Sequence, residues 1–255
     1  MVRSPQPPKA RIRIVLFDLG HTLLYFDGNW ASVFLQAQEQ VWQSLSGAGL
    51  PLEKAPFLQR LRETLAAYYE EREVAFIEHT TARVLRTLLA EEGFRNLPDA
   101  TLQDALTAMY ATTQAHWLPD PHTHSVLAQL RSAGYHLGVV SNAAHDNDVQ
   151  TLVDRHRLRQ YCDLVLTSAA AGIRKPDPRI FRLALEHWDA APAEAIMVGD
   201  TLGADILGAH NAGLRAVWVT RYADVAASSA SEEIPQPDYQ IASLEALPAL
   251  LASLS

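Results

Sequence analysis

Residues 12–22 read IRIVLFDLGHT, an apolar, β-branched run that ends at the acidic residue Asp18. A continuous apolar run of this kind predicts a strand covered on both faces, with Asp18 at its carboxyl end. Similar short runs recur later in the chain, at Tyr135–Val140, Leu164–Thr167, Ala195–Val198 and Ala216–Thr220. From Tyr135 onward, each run is followed by a stretch of helical periodicity. This alternation predicts an α/β fold built on a doubly wound, mostly parallel, Rossmann-like sheet.

Residues from about 27 to 116 follow a different pattern, without a strand-like run and with apolar residues at helical spacing. The first apolar stripe of this segment consists of Trp30, Val33, Phe34, Ala37 and Val41. Such stripes predict an inserted α-helical bundle. We therefore divide the chain into a core, residues 1–24 and 118–255, and a helical insert, residues 25–117. The insert returns to the core through residues 117–121, whose two prolines favour a stiff hinge.

Composition narrows the class of protein. The chain has 255 residues, 48% of them hydrophobic, which suits one α/β domain with a smaller companion. Its net charge of −8 and the lack of a basic run argue against a nucleic-acid partner. No apolar run is long enough for a membrane-spanning helix, so we expect no membrane partner. A single cysteine, Cys162, and no signal-peptide pattern in residues 1–9 favour the cytoplasm.

Polar residues cluster where the predicted strands end. Asp18 follows the first strand, Ser141 and Asn142 follow the second, and Asp200 follows the fourth, while Lys175 lies in a loop after the third. Ligands of open α/β sheets bind beyond the carboxyl ends of the strands. We therefore expect these side chains to meet at one edge of the sheet.

This set of side chains suits attack on a phosphate. A carboxylate that approaches a phosphate dianion is repelled by it, and a divalent cation together with a lysine offsets that repulsion. Asp18 and Asp200 supply the oxygen ligands that Mg²⁺ prefers. Ser141 and Asn142 can donate hydrogen bonds to phosphoryl oxygens. One helical turn after Asp200, Asp205 either holds a metal-bound water or orients the lysine.

The four segments resemble, in order, the four motifs of the haloacid dehalogenase superfamily, in its phosphatase-like branch with a helical cap. They are the strand before Asp18, residues 139–142, residues 175–178, and Gly199-Asp200 with Asp205. The resemblance implies that Asp18 is the nucleophile, Ser141 a phosphate binder, Lys175 a charge stabiliser and Asp200 a metal ligand.

The resemblance also implies the overall activity. It predicts a Mg²⁺-dependent phosphatase that hydrolyses a phosphoric monoester or acyl phosphate of a small metabolite through an aspartyl-phosphate. The insert then corresponds to the cap, and the backbone carbonyl of Gly20 to a third metal ligand. We expect a monomer or a homodimer.

The chain departs from the family pattern at Gly20. Phosphatases of this family usually carry there an aspartate that protonates the leaving oxygen, and loss of a general acid costs about 10²–10⁴ in rate. Three alternatives follow: His21 or a water substitutes, the leaving group needs no proton, or the protein is a weak enzyme with a binding or regulatory role. Haloacid dehalogenases also lack this aspartate. However, Gly199-Asp200 with Asp205 resembles the metal-binding motif of the phosphatases, and we therefore favour a phosphatase.

Overall fold

The computed structural model describes residues 11–223 and 235–254. Two segments that composition alone interprets lie outside the described residues: the Pro-rich residues 1–9, expected to be a loose tail, and most of residues 226–237, rich in Ser, Ala and Glu and expected to be a surface loop. The strands are β1 (Ile14–Phe17), β2 (Leu24–Phe26), β3 (Trp117–Pro119), β4 (His136–Ser141), β5 (Leu164–Thr167), β6 (Ala195–Gly199), β7 (Arg215–Val219) and β8 (Tyr239–Ile241). The helices are α1 (Trp30–Gly47), α2 (Lys54–Ala75), α3 (Thr81–Glu91), α4 (Asp99–Gln114), α5 (Thr123–Ser132), α6 (Asp146–Arg155), α7 (Ser168–Ala171), α8 (Pro178–Glu186), α9 (Leu207–Ala212) and α10 (Leu247–Ala252).

Within the described residues, six strands form one sheet in the order β5-β4-β1-β6-β7-β8, and every neighbouring pair is parallel. The central strand β1 lies between β4 and β6, with Phe17 paired to both Val139 and Val198. The carboxyl ends of these three strands therefore lie side by side. The predicted doubly wound parallel sheet is confirmed.

The sheet is covered on both faces because alternate residues of each strand point to opposite sides. Val15 and Phe17 pack in a cluster with α5, α6 and α10. Ile14 and Leu16 pack in a second cluster with α8 and α9. Burial on both faces explains why the strand runs are continuously apolar.

The insert folds as the predicted helical bundle, α1 to α4, around an apolar cluster of its own. Its two ends are joined by a small antiparallel sheet in which Leu24 of β2 pairs with Pro119 of β3, and Phe26 pairs with Trp117. These two strands flank residues 27–116, the segment predicted to lack a strand-like run, and neither was predicted. Residues 117–119, predicted as the first part of a stiff hinge, form β3. Strands of three residues are too short to show a period, and pairing with each other stabilises them. The division at residues 25 and 117 falls inside this sheet and stays a prediction.

Candidate active site

Lys175 lies at the centre of the site. Its Nζ atom donates to Asp18 Oδ1 and to Asp205 Oδ1, both at 2.6 Å, and its side chain is 1% exposed. Burial alone lowers the pKa of a lysine, but the two carboxylates outweigh that effect and raise the pKa of Lys175 above its ordinary value. The lysine is therefore a fixed ammonium group at neutral pH. It joins residues that are 157 and 30 positions away in the chain.

Three carboxylates crowd around this ammonium group. Oxygen atoms of Asp18, Asp200 and Asp205 lie within 4.8 Å of one another. Burial, and then the charges of Asp18 and Asp205, raise the pKa of Asp200 to about 8. Such crowded oxygen ligands fit a hard divalent cation, since the cation would offset the repulsion among the carboxylates. Thr22 orients the cluster by donating from Oγ1 to Asp200 Oδ1 at 3.2 Å.

The backbone after β6 brings Asp205 over the end of the strand. The chain forms a π turn at Leu202–Ile206, and Thr201 N donates to Asp205 Oδ2 at 3.0 Å. Gly199 leaves the space that this side chain occupies, because a Cβ on Gly199 would lie only 2.6 Å from Asp205 Cβ. Of the two predicted roles of Asp205, this geometry fits the orientation of Lys175.

Asn142 has a role that its motif does not reveal. Its Nδ2 donates to the Lys175 carbonyl at 2.9 Å, and its Oδ1 accepts from the Lys175 amide at 2.8 Å. The Asn142 side chain, which was predicted to bind phosphate, thus forms two hydrogen bonds with the main chain of Lys175. Ser141, 6% exposed at the end of β4, lies in the wall of the cavity described below.

Gly20 lies beneath the indole ring of Trp117. A Cβ on Gly20 would lie 3.1 Å from Cη2 of that ring, so the indole occupies the space into which an acidic side chain would extend. His21, with a φ of 58°, places its ring 5.3 Å from the same indole. Desolvation lowers the pKa of His21, which weakens its case as a substitute proton donor at neutral pH.

A cavity of about 570 Å³ opens above these groups. Its floor is the carboxylate and lysine cluster, and the insert supplies most of its aromatic wall. Lining residues that were not predicted as part of the site include Tyr69, Arg72, Tyr110, Asp148 and Arg174. Arg174 had a detectable signal, because it precedes Lys175 in the motif. Arg72 and Asp148 had none, since only the packing of the insert on the core turns them toward the cavity.

Comparison with known proteins identifies the family. The sequence profile of the haloacid dehalogenase-like hydrolases matches residues 55–219, a segment that contains Ser141, Lys175 and Asp200 and begins after Asp18. The chain belongs to this family. The resemblance stated from the motifs is thereby confirmed, and the protein is a hydrolase of the haloacid dehalogenase superfamily.

Named relatives of this hydrolase include phosphatases. A glyceraldehyde 3-phosphate phosphatase of Methanothermobacter thermautotrophicus is 31% identical over 82% of this chain and 85% of its own length. A phosphoserine phosphatase of Thermus thermophilus is 45% identical, over 54% of each chain.

Solved structures of similar fold come from both branches of the superfamily. A phosphatase of Thermococcus onnurineus has a TM-score of 0.65 at 26% identity and covers 94% of this chain and 98% of its own. A 2-haloacid dehalogenase of Pseudomonas syringae pv. Tomato DC3000 has a TM-score of 0.68 at 27% identity and covers 96% and 100%. The core and helical cap of the hydrolase are thus shared by enzymes of both names.

The cap of the hydrolase contacts the core next to the loop that carries Lys175. Ile77 of the cap forms an antiparallel bridge with Ile173, two residues before Lys175. The buried carboxylate of Glu78 accepts a hydrogen bond from Ser168 of the core at 2.7 Å and another from Tyr68 of the cap. The loop that carries the lysine is therefore part of the cap–core interface.

None of the helices in the part of the chain that the structure describes has the length and apolar character needed to span a membrane.

Proposed function

We propose that this hydrolase is a Mg²⁺-dependent phosphatase that cleaves a phosphoric monoester or acyl phosphate of a small metabolite through an aspartyl-phosphate on Asp18. The observation that carries the proposal is the Lys175 ammonium, 2.6 Å from both Asp18 and Asp205, beside the Asp200 carboxylate. The names of the phosphatase relatives support it. The substrates in those names belong to those proteins. We further propose that the enzyme acts in the cytoplasm.

The chemistry divides into two displacements at phosphorus. In the first, a carboxylate oxygen of Asp18 attacks the phosphorus atom, and the bond to the leaving oxygen breaks with its electron pair remaining on that oxygen. In the second, a water oxygen attacks the phosphorus atom and loses its proton to solvent. The bond between phosphorus and the Asp18 oxygen breaks with its electron pair remaining on Asp18, which restores the carboxylate and releases inorganic phosphate.

The other residues lower the electrostatic cost of both steps. Lys175 neutralises negative charge between Asp18 and the phosphoryl group, and Ser141 donates a hydrogen bond to a phosphoryl oxygen. Asp18, Asp200 and the Gly20 carbonyl would hold Mg²⁺, which supplies further neutralisation and orients the phosphate. Asp205 keeps the lysine ammonium in place.

The leaving group needs separate treatment because Gly20 has no side chain to protonate it. An acyl phosphate releases a carboxylate, which departs without a proton. A phosphoric monoester of an alcohol needs a proton from water or from another group in the cavity. We therefore expect faster turnover of acyl phosphates than of alkyl phosphates.

Phosphate release from a panel of acyl, aryl and alkyl phosphates, with Mg²⁺ and with a chelator, tests this function. Asp18→Asn should lower kcat by at least about a thousandfold, since nucleophile removal is among the largest single losses in an enzyme. Asp104→Asn, at an exposed position of the cap, is the matched control. Equal turnover by the Asp18→Asn variant, or no turnover of the whole panel, would refute the proposal.

A second candidate, hydrolysis of a carbon–halogen bond, is favoured by Gly20, since halide leaves without a proton. The three crowded carboxylates favour the phosphatase, because displacement of halide from carbon needs no divalent cation. Halide release from 2-haloacids without Mg²⁺ would select the second candidate. Isotopic water separates the two as well: ¹⁸O enters phosphate in the first case and the Asp18 carboxylate in the second.

A further inference from the structure

The cavity is larger than a phosphate group requires. A volume of about 570 Å³ is in the range of sites for whole small molecules. If the proposed function holds, the phosphate group occupies the floor of the cavity, and the organic part of the substrate then lies against the cap. There the wall includes the rings of Trp30, Phe34, Tyr69 and Tyr110. Charged side chains that lie among these rings are the groups that would recognise a polar feature of the substrate.

Two guanidinium groups lie among the aromatic rings of the cavity wall, one from each side of the cap–core interface. Arg72 comes from α2 of the cap and Arg174 from the loop of the core that carries Lys175, and both line the cavity. They converge on the same carboxylate: Arg72 Nη1 lies 3.5 Å from Glu78 Oε1, and Arg174 Nε lies 3.8 Å from Glu78 Oε2. The Arg72 guanidinium also lies 4.3 Å from the centroid of the Tyr69 ring, a cation–π contact.

We propose that Arg72 and Arg174 form a subsite for a carboxylate of the substrate, so that the substrate is a phosphorylated carboxylic acid. The inference rests on the proposed phosphatase function. Planar guanidinium groups match the two oxygens of a carboxylate, and pairs of this kind are strong when little water reaches them. Glu78, whose side chain is fully buried, holds the two arginines from behind while their remaining surface lines the cavity.

A carboxylate fits this subsite better than a second phosphate does. Glu78 is in contact with both arginines, and Asp148 lies in the wall of the same cavity. A dianion placed there meets the repulsion of both carboxylates, whereas a monoanion meets about half of it. The subsite therefore selects a singly charged group.

Matched substrates test the inference with the unaltered enzyme. The probes are ω-phosphooxy carboxylates of two to five carbons, the ω-phosphooxy alcohols of equal length, and the corresponding bisphosphates. We expect kcat/KM for the acid of the best length to exceed that for its matched alcohol by about 10- to 100-fold, the range for a charge-assisted hydrogen-bonded pair. Bisphosphates should be poorer than the acids.

Variants of Arg72 then assign the preference to the proposed subsite. Arg72→Gln should lower the ratio of acid to alcohol kcat/KM by about tenfold or more, and Arg72→Lys, which keeps the charge but not the planar fork, should give an intermediate ratio. Arg62→Gln, at an exposed position of the same helix, is the control and should keep the wild-type ratio.

The outcomes separate this inference from the proposed function. Turnover of alcohols and acids with equal kcat/KM, a preference for bisphosphates, or a wild-type ratio in Arg72→Gln would overturn the subsite and leave the phosphatase standing. Absence of phosphate release from every probe and from the acyl and aryl panel would overturn the phosphatase itself.

Discussion

The indole of Trp117 covers Gly20, and a Cβ on that glycine would lie 3.1 Å from Cη2 of the ring. Trp117 is the first residue of β3, and its ring also packs edge-on against Phe26 and Trp30. The indole of Trp117 therefore fills the space that the side chain of a proton donor at residue 20 would need. An acid cannot be restored at residue 20 without moving the indole.

This packing predicts that Gly20→Asp alone raises kcat for an alkyl phosphate less than threefold and destabilises the fold by about 1–3 kcal/mol, the usual cost of overpacking. With Trp117→Leu in the same chain, the aspartate gains room, and kcat should exceed that of Trp117→Leu alone by about 10²-fold or more. Steady-state kinetics and urea denaturation of the three variants check both effects. A full gain in the single variant would show that the indole is no obstacle.

Gly199 should matter as much as the aspartate that it accommodates. A Cβ on Gly199 overlaps the Asp205 side chain, so Gly199→Ala displaces Asp205 from Lys175. We expect a loss of kcat of about 10- to 100-fold, as for other groups that orient a catalytic residue. Asp205→Ala should lose a similar factor. Gly203→Ala, four residues later and facing open space, is the control, and an equal loss there would contradict the explanation.

Glu78 should hold the cap on the core. Its buried carboxylate accepts from Ser168 and Tyr68 and lies near both arginines. Glu78→Gln removes that charge, and loss of one partner of a buried pair destabilises a protein by about 3–5 kcal/mol. Urea denaturation measures the change in the free energy of unfolding. Glu70→Gln, at an exposed position of α2, is the control and should change it by less than about 0.5 kcal/mol.

Asp148 should make stability depend on pH. Burial raises its pKa from 3.8 to about 6, although a hydrogen bond from Gln114 acts in the opposite direction. The folded protein therefore binds more protons at this site than the unfolded chain between pH 4 and 6, and the contribution of Asp148 to stability falls as the pH rises through that window. Above pH 7 the penalty is complete, at up to about 3 kcal/mol for a shift of about two units.

Asp148→Asn removes that penalty, because the amide oxygen can still accept from Gln114 and carries no charge. The free energy of unfolding of the variant relative to wild type should therefore increase from pH 4 to pH 8, measured by urea denaturation at each pH. Asp104→Asn, on the surface, should show no such trend. A difference that stays constant over the pH range would show that Asp148 titrates normally.

Part of this protein was readable from its sequence because the signals are local. Each central strand is a continuous apolar run, and the polar residue after the run must lie at the carboxyl edge of a parallel sheet. That rule predicted the α/β fold and the meeting of Asp18, Lys175 and Asp200, whereas the family was predicted from the resemblance of the four motifs. The helical insert was equally readable, since its stripes repeat over many turns.

Only the tertiary structure decided what surrounds those residues. Three contacts join residues that are between 33 and 102 positions apart in the chain. They are the hydrogen bonds of Asn142 with Lys175, the packing of the Trp117 indole on Gly20, and the approach of Arg72 and Arg174 to one carboxylate. None of these contacts follows from local propensity, because each joins segments that are far apart in the chain and meet only in the folded structure. The short strands β2 and β3 were missed for the same reason, since each is stable only through its pairing with the other.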